Sequence, residues 1–192
     1  MIGGPLLPGE ILFSDGIYLH RRPDYLATSK SLIMDLLQAL IEETRHKAVV
    51  LLQPTSPFRS LSELEYVKNK LKQETDENTS FVSFKSAQSM HPARMYKQRE
   101  DSNFDSLGIY QEFRESRRQD CPPVFIRDGG YYIIGRSLVK NRMQSNLSPG
   151  GMIRDFPFTI NIDSMEDWVM AEAILPKVIG DPNGDFDYEI YR

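Results

Sequence analysis

The chain has 192 residues, enough for one domain with a sizeable core. Its 27 acidic and 23 basic side chains give a formal charge of −4, which offers no general electrostatic reason to bind nucleic acid. Cys121 is the only cysteine, so an intrachain disulfide is excluded and a reducing compartment is suited. No apolar run approaches the roughly 20 residues that span a bilayer, and the start lacks a secretory signal, so a soluble cytoplasmic protein without membrane partners is expected.

Residues 1–16 are rich in Gly and Pro and read as a loop with one strand fragment, Ile11 to Phe13. In "SKSLIMDLLQALIEETRHK", Ile33, Leu36, Leu37, Leu40 and Ile41 recur at helical spacing, and Ser29 stands where it can cap the helix. The unbroken run Val49 to Leu52 predicts a strand buried on both faces. "SLSELEYVKNKLKQE" predicts a helix whose capping box is Ser60 with Glu63 or Ser62 with Glu65. "SFVSF" predicts a second strand, and the alternation predicts an α/β domain with a layered, mostly parallel sheet.

From Lys85 to Pro123 the chain is polar and poorly periodic. "YYIIG" then predicts a strand, Arg136 to Gln144 a short helix, "NLSPGGMIRD" a loop and "FPFTINID" another strand. Ser164 opens the last helix with Asp167 as capping partner. Trp168, Val169, Ala171, Ile174 and Leu175 fall on or near its buried face, and Pro176 limits it. The acidic tail reads as a solvated loop. Its alternating Asp181, Asn183, Asp185 and Asp187 lack the Gly and distant Glu of an EF-hand, so no calcium site is expected.

In "LLQPTSPFR", Gln53, Thr55 and Ser56 follow directly on a strand, at the position where open α/β sheets bind ligands. Pro54 and Pro57 stiffen the loop, which lowers the entropy cost of binding. A rigid strand-to-helix turn explains the same residues equally well. His91, before a proline, reads as a structural loop residue rather than a base, and Gly129 and Gly130 alone read as a turn. Asn161 and Asp163 are two apart, which in a strand places both on one face.

The segments "RRPDYLA", "LLQPTSPFR", "HPARM", "RRQDCPPVF", "DGGYYI" and "INIDSMEDW" occur in this order. The series resembles the CMP-N-acylneuraminate cytidylyltransferases, or CMP-sialic acid synthetases, whose motifs run RPxxLA, LLQPTSPLR, HPxK, RQxxP, NGAIYI and IDIDTxxD. It spans about Arg21 to Leu175. The resemblance implies a three-layer, Rossmann-like nucleotidyltransferase fold in a single domain over 1–192. It also implies transfer of CMP from CTP to a nonulosonic acid, with release of pyrophosphate and Mg²⁺ as cofactor. Residue by residue it implies that Gln53 contacts the sugar, Arg94 stands in for the family's lysine, Arg118 holds the sugar acid, and Tyr132 and Phe125 wall the sugar pocket. It puts Arg22 and Ser31 on the nucleotide side. Asp163 matches a Mg²⁺ ligand, and Asn161 replaces the family's first aspartate, which removes one charge from the metal site.

Taken singly, each of these residues has a plainer structural reading: Arg118 a solvated charge, Tyr132 core, Asp163 a helix-start charge. The family's glycine-rich ARGGSKGxxxKN loop, which wraps the triphosphate, has no counterpart, since the first 20 residues hold neither Lys nor Arg. An N-terminally incomplete domain lacking the first strand is therefore expected, with weak or no turnover by itself. The resemblance also implies a homodimer, formed through about 135–155. A non-catalytic sugar-nucleotide-binding or dimer-forming homologue and a CMP-Kdo synthetase are the alternatives.

Overall fold

The structure is a computed structural model and describes residues 10–14, 17–20, 22–28, 30–42, 44, 46–73, 76–155 and 158–180. The expected Ser29 cap and the acidic tail lie outside them. The chain forms β1 (Glu10–Ser14), β2 (Ile17–His20), α1 (Ile33–Glu42), β3 (Ala48–Leu51), α2 (Leu61–Gln73) and β4 (Ser80–Ser86). It continues with β5 (Tyr96–Gln98), β6 (Phe104–Ser106), β7 (Phe125–Gly135), α3 (Arg136–Lys140), β8 (Gly150–Ile153) and α4 (Met165–Gly180).

This is a mixed α/β chain. Its main sheet has the order β3-β7-β4-β8, while β1-β2 and β5-β6 are separate antiparallel pairs. β7 is antiparallel to both β3 and β4, and β8 is parallel to β4. Three strands share one direction and the long β7 opposes them, so two of the three pairings are antiparallel and the sheet is mixed, not mostly parallel as expected. The crossover that parallel strands need is supplied by α2 between β3 and β4.

Alternation along β7 builds the two faces. Tyr132 and Ile134 meet Met34, Leu37 and Ile41 of α1 together with Val82, Leu138 and Val139. Tyr131 and Ile133 meet Val67 of α2 and Phe81 on the other side. Each such side chain contributes about 1.5–3 kcal/mol when buried. The capping box of α2 is Ser60 with Glu63: Glu63 N–H donates to Ser60 Oγ at 3.1 Å, and Ser60 N–H donates to Glu63 Oε2 at 3.2 Å. Ser62 instead shares a hydroxyl hydrogen bond with Ser60.

Five further expectations are corrected. β3 is half-buried along its length and Leu52 is exposed, because among the described residues β3 pairs on one side only, with β7. The stretch from Phe158 to Ile162 is a turn and extended chain, not a strand. Its apolar alternation serves packing instead: Phe158 and Ile160 are buried against Phe58, Ala171 and Ile174, with Ile162 beside them. Within the expected loop 146–155, residues 150–153 form β8, since the free edge of β4 recruits them despite their two glycines. α4 continues through Pro176 to Gly180, and Val178, beyond the proline, packs on the same cluster as Ile174. On α4, Ala171 and Ile174 are buried while Trp168, Val169 and Leu175 are exposed.

Replacing Ser60 by Ala removes a cap whose hydroxyl is buried, so Ser60→Ala is expected to cost about 1 kcal/mol. Urea unfolding should show a lower midpoint with an unchanged slope.

Candidate functional site

The strand directions decide which ends of the elements meet. The chain leaves the C-terminal end of β3 into Gln53 and that of β4 into residues 87–124, and the first half of the antiparallel β7 returns to this same end. Thr44 C=O, just beyond α1, accepts from Arg136 Nη1 at the opposite end, so the N-terminus of α1 also points to the Gln53 end. A cavity there joins Leu32, Ile33 and Met34 to Arg127. Segments from Leu32 to Arg127 thus gather at one end of the sheet.

The tightest meeting is around Gly129. This residue has φ +80°, a left-handed conformation that glycine adopts without strain, and it kinks β7. A β-carbon here would lie 3.1 Å from Ser56 Oγ, 3.2 Å from Asn161 Oδ1 and 3.3 Å from Gln53 Oε1. Ser56 Oγ–H donates to Asn161 Oδ1 at 3.0 Å, and Asn161 Nδ2–H donates to Asp163 Oδ2. The loop itself is held by Ile162 N–H donating to Thr55 C=O at 2.7 Å. Arg59 Nη2–H donates to Gln53 C=O at 2.9 Å and Gly130 C=O at 3.1 Å. Gln53, Ser56, Asn161 and Asp163 therefore form one polar cluster. Asn161 and Asp163 meet through their own hydrogen bond, not through a shared strand face.

The other expected residues lie as follows. Arg94 donates to Ser116 C=O, and His91 Nε2–H donates to Pro122 C=O at 3.2 Å while its Nδ1 accepts from Ala93 N–H. These bonds fasten the "HPAR" turn to the segment carrying Arg118, which is exposed. His91, only 2% exposed and engaged at both nitrogens, is a structural residue. Tyr132 is packed in the core beneath α1, where burial raises its phenol pKa. Phe125 is exposed at the start of β7. Ser31 Oγ shares a hydrogen bond with Thr28 Oγ1 at 2.8 Å, closing a turn before α1. Arg22 is partly buried, and its Nε is enclosed with no hydrogen-bond partner among the described residues. Other cavities lie beside β5–β6 and between Phe58 and α4; none of the three is lined by Gln53, Arg118, Tyr132 or Asp163.

The donor set admits Mg²⁺ only in part. No group of three or more metal-ligating His, Cys, Asp or Glu exists among the described residues. Asp163 offers one exposed carboxylate, and Asn161 Oδ1 already accepts from Ser56. That set suits a Mg²⁺ that brings most of its oxygens with it, as a nucleotide-bound ion does.

Sequence reading misses what lies beneath this cluster. The side chain of Arg154 is fully buried and ion-paired to Glu63 at 2.8 Å and Asp128 at 2.9 Å. Asp128 also accepts from Ser83 Oγ and from Gly130 N–H. Only the oddity of an Arg directly after the apolar pair Met152–Ile153 hints at it. No protein-family model matches the chain, and no curated protein matches it.

Gly129→Ala places a methyl among three oxygens and forces a left-handed alanine, a strain of about 1–2 kcal/mol before any clash. Thermal unfolding should occur earlier, and the amide signals of Ser56 and Asn161 should shift. At the head of α4, Asp167 accepts from Ser164 Oγ–H at 2.8 Å and from the backbone N–H of Asp163 and Ser164, which holds its pKa below the usual carboxylate value. A depressed folded pKa means that the cap is fully present above the ordinary carboxylate pKa and is lost as pH falls through the folded value. The protection of the Ser164 amide, the slowing of its exchange relative to an unstructured amide at the same pH, should therefore be greatest near neutral pH and fall as the Asp167 carboxylate protonates in acid. Asp167→Asn should abolish that pH dependence.

Proposed function

We propose that this chain is a cytidylyltransferase-type domain that joins CMP to a sialic-type nonulosonic acid. In this reading the anomeric hydroxyl oxygen of the sugar attacks the α-phosphorus of CTP. Its proton leaves, the α–β phosphoanhydride bond breaks, and pyrophosphate departs. The observation that carries the reading is the six-segment order, combined with the meeting of two of its segments, "LLQPTSPFR" and "INID", around the glycine of a third, "DGGYYI". The mixed sheet with α1 on one face and α2 on the other is compatible with the three-layer nucleotidyltransferase fold.

The chemistry of the cluster suits a polyhydroxylated ligand. Gln53 supplies both an acceptor and a donor, and the arginine-rich segment around Arg118 supplies charge for the sugar carboxylate. Asp163 would hold Mg²⁺, which neutralises phosphate charge, with Asn161 orienting the carboxylate. Arg22 and Ser31 stand on the nucleotide side. Among the described residues β3 is unpaired on its outer side, which leaves an edge open to a further strand. Homodimerisation through about 135–155 belongs to the same reading. The exposed apolar surface of α4 favours a second one, a binding or assembly module without turnover.

The test is incubation with CTP, Mg²⁺ and a panel of nonulosonic acids while pyrophosphate release is followed. The chain alone should turn over very slowly, and a form extended by a glycine-rich phosphate loop should turn over readily. In that form Asp163→Ala should raise the Mg²⁺ requirement by at least ~10-fold. Arg118→Ala should weaken use of the sugar acid far more than binding of CTP. An unchanged metal titration removes Asp163 as a ligand, and absence of both turnover and ligand binding leaves the assembly reading.

A further inference from the structure

Arg154 follows β8 directly, where a surface charge would be ordinary, yet its guanidinium has no exposure to water. Its donors reach acceptors on three separate segments. Nε–H donates to Glu63 Oε1 at 2.8 Å, in the first turn of α2. Nη1–H donates to Asp128 Oδ2 at 2.9 Å, in the kink of β7. Nη2–H donates to Phe58 C=O at 2.7 Å and to Glu63 Oε2 at 3.2 Å. Its guanidinium lies over the Tyr131 ring, with the central carbon 5.0 Å from the centroid. It also occupies the space where a side chain on Gly130 would stand, so that glycine leaves room for the guanidinium.

We propose that Arg154 is a positioning residue for the Gln53–Ser56–Asn161–Asp163 cluster, acting through the Asp128–Gly130 kink on one side and the Phe58 carbonyl on the other. The path is short. Asp128, pinned by Arg154 and by Gly130 N–H at 3.0 Å, precedes Gly129 directly. Its own carbonyl accepts from Ser56 Oγ–H at 3.4 Å. Gly129 in turn lies against the oxygens of Gln53, Ser56 and Asn161. Phe58 belongs to the same rigid loop as Gln53 and Ser56, so one guanidinium sets both walls of the cluster. A buried ion pair is a poor source of stability compared with apolar packing, whereas a planar fork of five donors fixes geometry. Arg154 itself touches none of the four cluster side chains in any hydrogen bond or ion pair described.

The ligand named in the test rests on the sugar-nucleotide reading. The variants are Arg154→Lys, Arg154→Met and Glu63→Gln, with Leu138→Ala as a destabilised control whose site is the core beneath α1. Thermal unfolding, calorimetric binding of N-acetylneuraminate and of CTP, and the amide signals of Ser56 and Gly129 are measured for each. A misplaced site should weaken the sugar acid by about tenfold or more, while CTP, measured without Mg²⁺ so that Asp163 is not engaged, changes by less than about twofold. Leu138→Ala should lower the unfolding temperature and leave both affinities unchanged. Sugar-acid binding unchanged in Arg154→Lys and Glu63→Gln, or weakened just as much by Leu138→Ala, overturns the proposal. If both Arg154 variants fail to fold, Glu63→Gln decides. If the unaltered protein binds neither compound, the sugar-nucleotide reading fails by itself, and the positioning role is read from the amide signals. Movement of the Ser56 and Gly129 signals in Arg154→Lys and Glu63→Gln but not in Leu138→Ala supports it, and unmoved signals overturn it.

Discussion

A guanidinium and a carboxylate that are both shut off from water, those of Arg154 and Asp128, form the constraint on which the rest of the structure depends. Charges in such a place hold only when every donor and acceptor is met; removing one partner of a buried pair typically costs about 3–5 kcal/mol. Here, among the described residues, Arg154 donates four hydrogen bonds and the Asp128 carboxylate accepts three. Glu63 supplies the second carboxylate, and Arg59 supplies the second cation, stacked 5.5 Å from the Tyr131 ring centroid. Burial lowers the Arg59 pKa, and burial together with Glu63 raises that of the Tyr131 phenol, whose hydroxyl donates to Glu63 at 3.1 Å. Two cations and two anions thus share one enclosure, and Glu63 also caps α2.

That enclosure explains the shape of β7. A strand of 11 residues crosses the whole sheet between β3 and β4, and its register slips opposite the stretch between Val82 and Phe84. The slip coincides with Asp128, Gly129 and Gly130, where Asp128 turns inward to Arg154 and Ser83. Gly129 then turns outward to the polar cluster. An irregular stretch inside a central strand loses ladder hydrogen bonds. The loss is offset by side-chain bonds: Ser83 Oγ accepts from Tyr131 N–H at 2.8 Å, and Asp128 accepts from Gly130 N–H. The cluster of Gln53, Ser56, Asn161 and Asp163 therefore sits on a part of the sheet held by charge rather than by regular pairing.

Much of the local structure was legible. The capping residues Ser60–Glu63 and Ser164–Asp167 announce helix starts because their side chains bond within three residues, a purely local matter. Periodicity found α1, α2, most of β4 and the second half of β7. It failed where tertiary contacts override it. Phe158, Ile160 and Ile162 alternate like a strand but pack against Phe58 and α4, with no partner strand among the described residues. Gly150–Ile153 resembles a loop but pairs because β4 offers an edge. Among the candidate site residues, Gln53, Asn161 and Asp163 do come together, while Tyr132 lies in the core and Arg118 lies on a separate exposed segment.

By itself, the order of residues determined the α/β alternation, the Ser164–Asp167 cap, the stiff polar loop after β3 and the lone cysteine. Each depends on neighbours a few positions apart or on composition. Only the tertiary structure decided that β7 runs against its neighbours and that Gly129 stands among three oxygens. It likewise decided that Arg154 joins residues 26, 91 and 96 positions away. Such contacts arise because enclosed charges must find partners wherever the chain brings them, and no local pattern encodes which partners those are.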